Sequence, residues 1–302
     1  MGVLSPHEGE TYVDCTAGLG GHATLIAPLV GASGRIVLND VDDGNLGKAA
    51  EAVRRAGSGV GGDRCPEVVT IRGNFAELPR ALGERGIRAD MVLADLGFSS
   101  NQVDDPARGL SFRLDGPLDM RLDASLKLSA ADLVNGLSEG ELARILRDYG
   151  EERHAGLVAR KLVQARKESP ILTTARLAEV VRSVLSGRSG PSQIDPATRS
   201  FQALRIGVND ELGSLEALLA AVLRGVGTSG SWLSGGARVA IISFHSLEDR
   251  LVKRAFEEVE SRGVGGVLTR SPVMADEPEQ RANPRSRSAK LRAVRMGGAL
   301  GG

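Results

Sequence analysis

Short, mostly apolar runs alternate with helix-forming stretches along the N-terminal part of the chain. Four of these runs, Thr11–Asp14, Arg35–Asp40, Val68–Ile71 and Asp90–Ala94, have the length of strands, and continuous apolar character is typical of strands buried on both faces. A fifth run, Ala237–Phe244, comes much later. Strands that alternate with helices in this way predict an α/β fold with a doubly wound parallel sheet.

The stretch between the fourth and fifth runs is far longer than a normal crossover connection. Apolar residues repeat there at helical spacing in three groups: Leu142, Ile145, Leu146 and Tyr149; Leu177, Val180, Val181 and Val184; and Leu212, Leu215, Leu219 and Val222. We assign the first two groups to a small helical domain inserted into the sheet domain, and the third to a helix that packs on the sheet. The predicted domains are residues 1–110 with 211–302 for the sheet and residues 111–210 for the insertion.

The composition is that of a globular protein with an ordinary core. The 302 residues are 41% hydrophobic, and 38 basic residues balance 38 acidic ones, which argues against a non-specific nucleic-acid coat but allows a local basic face. No apolar run is long enough to span a membrane, and the N-terminus lacks the pattern of a signal peptide. We therefore expect a cytoplasmic protein without a membrane partner. The two cysteines lack metal-ligand spacing and the four histidines are dispersed, so we expect no metal site.

A glycine-rich turn, Cys15–His22, follows the first strand and precedes the helix-forming residues Ala23–Leu29. Strand, glycine turn and helix together bring backbone N–H groups close to a ligand at the helix N-terminus. Gly18, Gly20 and Ala23 also satisfy the dinucleotide pattern G-x-G-x-x-A. That pattern alone leaves a nicotinamide cofactor and other nucleotide ligands open.

Two acids distinguish between these ligands. Asp14 ends the first strand just before the glycines, where a carboxylate repels phosphate and attracts an ammonium group such as that of S-adenosylmethionine. Asp40 ends the second strand, where an acid accepts hydrogen bonds from ribose hydroxyls. An adenosine joined to a cationic amino acid fits both acids, whereas a dinucleotide fits only Asp40. The alternative role for Asp14 is a helix or turn cap.

Two further residues follow the third strand. Phe75 is a candidate to flank an adenine ring, and Asn74 or the nearby backbone is a candidate to read the edge of that ring. The alternative for Phe75 is a place in the core.

The stretch from Met91 to Asp123 carries the densest functional signal. A buried strand ends there on Asp95, and a glycine-bearing loop rich in Asp and Arg follows it. Ligands of open α/β sheets bind outside the carboxyl ends of the strands. We therefore expect chemistry at Asp95 rather than an ordinary surface loop.

Basic residues concentrate near the C-terminus, where residues 281–295 carry six of them and no acid. We expect Arg285 and Arg287 in this run to bind RNA phosphates. In the insertion, Arg199 and Arg205 are candidates for phosphate contacts, and Asn209 either contacts a base or caps a helix. The alternative for these three residues is a solvated helix face.

Six segments in one order along the chain carry a family resemblance. They are Asp14–His22, Asp95–Asp123, Tyr149–Arg153, Pro196–Glu211, Ile242–Arg250 and Asn283–Ser288, and the string DGPLDMR at residues 115–121 is highly specific. Together they resemble the bacterial cytosine-N4 methyltransferases of 16S ribosomal RNA, the MraW type. The resemblance implies a class I (Rossmann-like) S-adenosylmethionine methyltransferase sheet with an inserted helical domain that helps to bind RNA. The implied target is the N4 amine of C1402 in the decoding region of the small ribosomal subunit.

The resemblance also implies roles for single residues. The implied ligands of S-adenosylmethionine are Gly20, Gly21, His22, Asp40, Phe75, Asp95 and Gln102, to which the charge argument adds Asp14. The implied partner is 16S ribosomal RNA in the small subunit, with no obligatory protein partner. Family members usually carry a longer leader before the first strand. We therefore expect either a start codon placed too far downstream or a shorter wall beside the active site.

Asp95 is the first candidate for catalysis. The cytosine amine is a poor nucleophile because its lone pair is delocalised into the ring, and a hydrogen-bond acceptor localises that pair. Asp95 either orients this amine or binds the cofactor. Asp119, Ser243 and His245 are weaker candidates, and His245 is either a base or a capping residue. A non-catalytic RNA-binding assembly factor would not need Asp14 and Asp40, so the two acids favour an enzyme.

Overall fold

The computed structural model describes residues 2–58, 65–185, 195–225 and 231–297. By their contacts the residues divide into two compact units, one formed by Met1–Gly97 with Leu212–Gly302 and the other by Phe98–Glu211. The first boundary differs from the predicted one after residue 110, because residues 98–110 make their contacts with the helical unit. An RNA-recognition role for this second unit stays a prediction.

The first unit contains one mixed sheet. Its described strands are β1 (Thr11–Asp14), β2 (Arg35–Asp40), β3 (Glu67–Arg72), β4 (Ala89–Asp95), β5 (Leu233–Ser243), β6 (Gly265–Val267), β7 (Val273–Met274) and β8 (Lys290–Met296). Their order is β3-β2-β1-β4-β5-β8-β6, and β7 pairs with β8. The first five strands are parallel, whereas β8 runs antiparallel to β5. This arrangement confirms the predicted α/β fold with a Rossmann-like sheet. The sheet is mixed rather than wholly parallel, because β8 runs antiparallel.

The order of the strands reverses at β1, which pairs with β2 on one side and with β4 on the other. Such a reversal opens a crevice at the carboxyl ends of the two central strands. Asp14 and Asp95 are the last residues of β1 and β4, and Asp40 is the last residue of β2. The sheet therefore brings three carboxylates to one edge.

Helices cover both faces of the sheet. They are α1 (Gly21–Val30), α2 (Asp43–Ser58), α3 (Leu78–Glu84), α10 (Glu211–Arg224) and α11 (Ser246–Ser261), and a short α12 (Glu277–Ala282) precedes β8. Because successive strand residues point to opposite faces, Tyr12 packs in the cluster that contains α1 and α2, whereas Val13 packs with α3, α10 and α11. The apolar stripe predicted to lie on the sheet is confirmed, since Leu215 and Leu219 of α10 lie in that second cluster.

The basic run at residues 281–295 is not a uniformly exposed tail. Its second half forms β8, in which Arg292 is only 8% exposed. The Nε atom of Arg292 donates a hydrogen bond of 2.7 Å to Asp249 on α11, and this pairing allows a charged residue to lie inside the sheet unit. The fifth strand also begins earlier than predicted, because Leu233 already pairs with Ala89.

The second unit is helical. It contains α4 (Ser100–Asp104), α5 (Ala130–Gly136), α6 (Glu139–Asp148), α7 (Ala155–Glu168), α8 (Thr174–Leu185) and α9 (Thr198–Asn209). The stripes predicted around Leu142 and Leu177 are confirmed, because these residues are fully buried in the core of this unit. Across the described parts of both units, no helix is long and apolar enough to cross a membrane.

The turn between α6 and α7 packs tightly on α9. The backbone carbonyl of Tyr149 accepts a hydrogen bond of 3.1 Å from Gln202, and that of Glu151 accepts one of 3.3 Å from Arg199. Between them, a Cβ atom on Gly150 would lie 2.7 Å from the carbonyl oxygens of Arg199 and Leu146. Only glycine fits at this position, so two of the resembling segments are joined here by backbone contact.

Gly150→Ala should therefore destabilise the protein by about 1–3 kcal/mol, the usual cost of overpacking. The matched control is Gly156→Ala in the first turn of α7, where an added Cβ meets nothing within 4 Å and alanine favours the helix by up to about 1 kcal/mol. Chemical unfolding of both variants tests this. Equal stability of the two variants would contradict the close approach at Gly150.

Candidate functional site

The glycine turn after β1 is shaped by backbone conformation and by close packing. Gly18 and Gly20 have positive φ angles of 51° and 83°, and a Cβ on Gly20 would lie 3.0 Å from the Cα of Ala49. Helix α1 then begins at Gly21 without a side-chain cap, so its first N–H groups form an end that is suited to an anionic ligand group. An added Cβ on Gly21 would meet nothing within 4 Å. The turn thus presents backbone rather than side chains.

Asp40 is fixed by this turn. One carboxylate oxygen accepts a hydrogen bond of 2.8 Å from the N–H of Gly18, and the other accepts one of 2.9 Å from the N–H of Asp42. Burial raises the pKa of Asp40, and these two hydrogen bonds oppose the rise. A carboxylate has about four acceptor positions, so capacity for ribose hydroxyls remains.

Asp14 lies beneath the turn and is only 1% exposed. Its oxygens accept hydrogen bonds from the hydroxyl of Tyr12 at 3.1 Å and from the N–H of Thr16 at 3.2 Å. Burial raises the pKa of Asp14 to about 6, although the nearby His22 and the hydrogen bond from Thr16 lower it. The structure therefore gives Asp14 the turn-capping role that the sequence left open, and its role toward the cofactor stays a prediction.

Asp95 and His22 meet across the carboxyl ends of the sheet. The Nε2 atom of His22, in the first turn of α1, lies 3.1 Å from Oδ2 of Asp95. The backbone N–H of Asp95 donates to the hydroxyl of Thr16 at 2.8 Å. The other carboxylate oxygen, Oδ1, is buried and has no hydrogen-bond partner within the described residues. A buried, unpaired carboxylate oxygen is costly, and this atom is closed to solvent and hence to a ligand, whereas the Asp95 side chain as a whole is 32% exposed. A ligand therefore meets the exposed part of this side chain.

Phe75 and Asn74 follow β3. Phe75 is half-buried and packs against the core that α3 and α10 share, so the structure gives it at least the core role. The side chain of Asn74 is already engaged, because it donates to Ser214 at 2.8 Å and accepts from the N–H of Ala76 at 2.9 Å. Recognition of an adenine edge is thus left to the backbone near these residues, as a prediction.

Two residues that the sequence analysis did not single out brace the site. Thr16 supports both Asp14 and Asp95, as described above. Asn39 is buried and donates hydrogen bonds of 2.8 and 3.1 Å to the carbonyls of Ile71 and Gly73, which ties the end of β2 to that of β3. No local pattern marks such bracing residues, since their partners are far away in the sequence.

Ser243 and His245 flank the end of β5 in structural roles. The Ser243 hydroxyl donates to the carbonyl of Lys290 at 3.3 Å. His245 is the N-cap of α11, where its Nδ1 accepts from the N–H of Glu248 while the carboxylate of Glu248 accepts from the N–H of His245. The capping alternative for His245 is thus present, and a catalytic role for either residue stays a prediction.

In the second unit, two predicted site residues are occupied by neighbours. The buried Gln102 closes a capping box with Ser99, whose N–H donates to the Gln102 oxygen at 3.0 Å. Both oxygens of Asp119 accept hydrogen bonds from the Arg121 guanidinium, at 2.8 and 2.7 Å, and this contact lowers the pKa of Asp119. Such a carboxylate is a weak base, so the structure argues against Asp119 as a proton acceptor.

Arg205 and Asn209 on α9 are held by neighbours within their own unit. Arg205 forms a two-point ion pair with Glu211 at 2.7 and 2.8 Å, and its guanidinium lies over the ring of Phe98. The side-chain oxygen of Asn209 accepts from the N–H of Leu122, and its NH₂ group donates to the carbonyls of Met120 and Arg205. The structure thus gives both side chains a packing role, and the RNA contacts of the two residues stay a prediction.

The remaining predicted RNA contacts are at the surface. Arg199, Arg285 and Arg287 are exposed, and the last two lie in a short 3₁₀ turn at Pro284–Ser288. This turn leads directly into β8, whose Lys290 pairs with Ser243 at the carboxyl end of β5. Arg285 and Arg287 therefore lie at the same edge of the sheet as the three carboxylates.

Comparison with known proteins gives concordant findings. The chain matches the model of the MraW methylase family over residues 1–296. It is 43% identical over 310 residues to the ribosomal RNA small subunit methyltransferase H of Trichlorobacter lovleyi, across 97% of this chain and 94% of that protein. It is 47% identical over 302 residues to the protein of the same name from Sorangium cellulosum, across 99% and 89%. Among solved structures, Aeropyrum pernix fibrillarin in complex with S-adenosyl-L-methionine matches with a TM-score of 0.37 at 11% identity, across 95% and 67%.

The buried Asp14 makes stability depend on pH. Its pKa of about 6 in the folded protein exceeds the ordinary value of 3.8, so the stabilising protonated form is lost as the pH rises from about 4 to about 6. Without ligand, the free energy of unfolding of the wild-type protein should fall across this window by up to about 3 kcal/mol relative to Asp14→Asn. Urea unfolding of both proteins between pH 4 and pH 8 measures the difference. Parallel pH curves would show that Asp14 is not desolvated.

Proposed function

Because the chain belongs to the MraW methylase family, we propose that it transfers the methyl group of S-adenosylmethionine to the N4 amine of C1402 in 16S ribosomal RNA. As a methylase of this family it depends on S-adenosylmethionine. The names of the relatives support small-subunit ribosomal RNA as the substrate class. The observation that carries the choice of an amine is the Asp95 carboxylate, a partly exposed acceptor that Nε2 of His22 holds at the carboxyl edge of the sheet.

The residues at this edge fit S-adenosylmethionine. The carboxylate of Asp40 is suited to the ribose hydroxyls, and the uncapped start of α1 at Gly20 and Gly21 is suited to the carboxylate of the methionine part. Because Asp14 is buried and both its oxygens accept hydrogen bonds, it contributes a negative potential beneath the turn rather than a direct contact. That potential favours a cationic ligand and opposes the pyrophosphate of a nicotinamide dinucleotide.

Asp95 performs the step that the cytosine needs. The bound sulfonium supplies an electrophilic methyl group with a good leaving group. The Asp95 carboxylate accepts a hydrogen bond from the target amine, which localises the lone pair on N4 and holds the proton that the amine must lose. The negative charge of Asp95 also stabilises the positive charge that develops on N4. Positioning and electrostatics thus supply the catalysis without a covalent enzyme intermediate.

A non-catalytic assembly factor is the second candidate function, favoured by the exposed Arg285 and Arg287 at the same edge. One experiment separates the two. Purified small subunits that lack the modification are incubated with the protein and with methyl-labelled S-adenosylmethionine, and the nucleosides are analysed by mass spectrometry. Label in N4-methylated cytidine is the expected result. Subunit binding without any methyl transfer would favour the assembly factor.

Asp95→Asn should lower the single-turnover rate of methylation, at saturating S-adenosylmethionine, by roughly a hundred-fold or more, because a preorganised charge at the reacting amine is lost. The matched control is Asp90→Asn at the other end of the same strand, where Asp90 accepts a hydrogen bond from the N–H of Thr11. Loss of affinity for S-adenosylmethionine with a near-normal rate at saturation would instead make Asp95 a cofactor ligand.

Replacing Arg285 and Arg287 together by Gln should weaken subunit binding and reduce the slope of log K against log salt by roughly 1.5, because two phosphate contacts are lost. Arg80 in α3 and Arg85, the C-terminal cap of that helix, give a control pair with the same change of net charge. The affinity for S-adenosylmethionine should stay the same in both double variants. An identical salt slope in both would remove the C-terminal arginines from the RNA interface.

A further inference from the structure

We propose that His22 is a positioning residue for methyl transfer, whose neutral imidazole holds the Asp95 carboxylate in the orientation that meets the target amine. This inference rests on the proposed function, and it adds to that function a residue that does not itself touch the reacting atoms. It also gives the reaction a dependence on the charge of one imidazole.

The geometry of Asp95 requires a group that fixes its carboxylate. The residue ends a strand, so its backbone is held by the sheet and by the hydrogen bond from its N–H to Thr16. Among the described residues, one hydrogen bond holds the side chain, from Oδ2 to Nε2 of His22 at 3.1 Å. The χ2 torsion of an aspartate has a broad energy minimum, so this contact narrows the orientation of the carboxylate. His22 therefore sets how the partly exposed carboxylate faces a ligand.

His22 can serve Asp95 and a cofactor with different atoms. Its Nε2 is directed at Asp95, whereas its backbone N–H belongs to the uncapped first turn of α1. We assign the cofactor contact that the family resemblance implies for His22 to this backbone group. Removing the imidazole should therefore affect the rate more than the affinity for S-adenosylmethionine, which separates positioning from binding.

The charge of the His22 imidazole determines how well Asp95 stabilises the positive charge that develops on the target amine. The titratable groups that face His22 are Asp95 on β4 and Asp14 on β1, and the hydrogen bond to Asp95 raises the pKa of His22 above 6.5 against the opposing effect of burial. A protonated His22 would neutralise Asp95 just where a positive charge must develop on the amine. A neutral His22 that donates its Nε2–H keeps the carboxylate in place with its full charge. The reaction should thus speed up as the pH rises through the pKa of His22.

The test compares wild-type protein with His22→Gln and His22→Ala in single-turnover methylation of small subunits, at saturating S-adenosylmethionine, from pH 6 to pH 9. The wild-type rate should rise to a plateau with a midpoint above 6.5. His22→Ala should lower the plateau by roughly ten- to a hundred-fold, the effect of one lost charge-assisted hydrogen bond. His22→Gln, whose amide N–H replaces Nε2–H, should recover most of the plateau rate. Its rate should not fall at low pH, so its profile should lack the acid limb that the wild type shows.

Two controls make the result decisive. Calorimetry should show similar affinity of all three proteins for S-adenosylmethionine, and thermal unfolding should show that His22→Ala is folded. In Asp14→Asn the acid limb should persist at a slightly lower midpoint, because the negative charge of Asp14 contributes to the raised pKa of His22. Loss of the limb in that variant would assign it to Asp14 and overturn the proposal.

The remaining outcomes are also distinct. A wild-type protein that transfers no methyl group to the subunit would overturn the proposed function and this inference with it. Two results would overturn only the positioning role when the wild type transfers methyl groups. One is an unchanged plateau rate in His22→Ala, and the other is an acid limb that remains in His22→Gln.

Discussion

The convergence of three carboxylates on one edge of a parallel sheet is the constraint on which the site depends. Asp14, Asp40 and Asp95 end adjacent strands, and burial of so much negative charge is unfavourable unless each group is compensated. The compensation comes from the chain around the glycine turn. The N–H of Gly18 serves Asp40, and the first turn of α1 supplies His22 for Asp95. The turn is therefore a support for the acids as much as a place for a ligand.

Much of the fold could be predicted from the sequence because its determinants are local. A short apolar run that ends on an acid, as at Asp95, indicates a buried strand whose carboxyl end faces a ligand. The antiparallel strand β8 could not be predicted in this way, because Arg292 interrupts its apolar pattern. That arginine is tolerated only through its pairing with Asp249, 43 residues earlier in the chain. A contact of this kind leaves no trace in local periodicity.

The site was less predictable than the fold, for a related reason. A polar side chain in a motif serves either a ligand or its own backbone, and the residue type does not say which. Asn209 holds the carbonyl of Met120, 89 residues away, and Arg205 pairs with Glu211. The segment Pro196–Glu211, which contains both residues, therefore reflects the packing of the helical unit. Arg199, Arg285 and Arg287 differ from them by being exposed, and exposure is a property that the sequence alone could not supply.

The buried acid under the turn connects stability with ligand charge. Burial takes Asp14 out of water, and it raises the pKa of this carboxyl against the hydrogen bonds from Thr16 and Tyr12. A cation bound above the turn would favour the ionised form, so the ligand restores part of what burial removes. His22 lies close enough to Asp14 to provide some of this positive charge itself when it is protonated. A neutral His22 therefore does not offset the negative potential of Asp14, which then acts on the ligand. With the same neutral His22, Asp95 keeps its full charge for the amine.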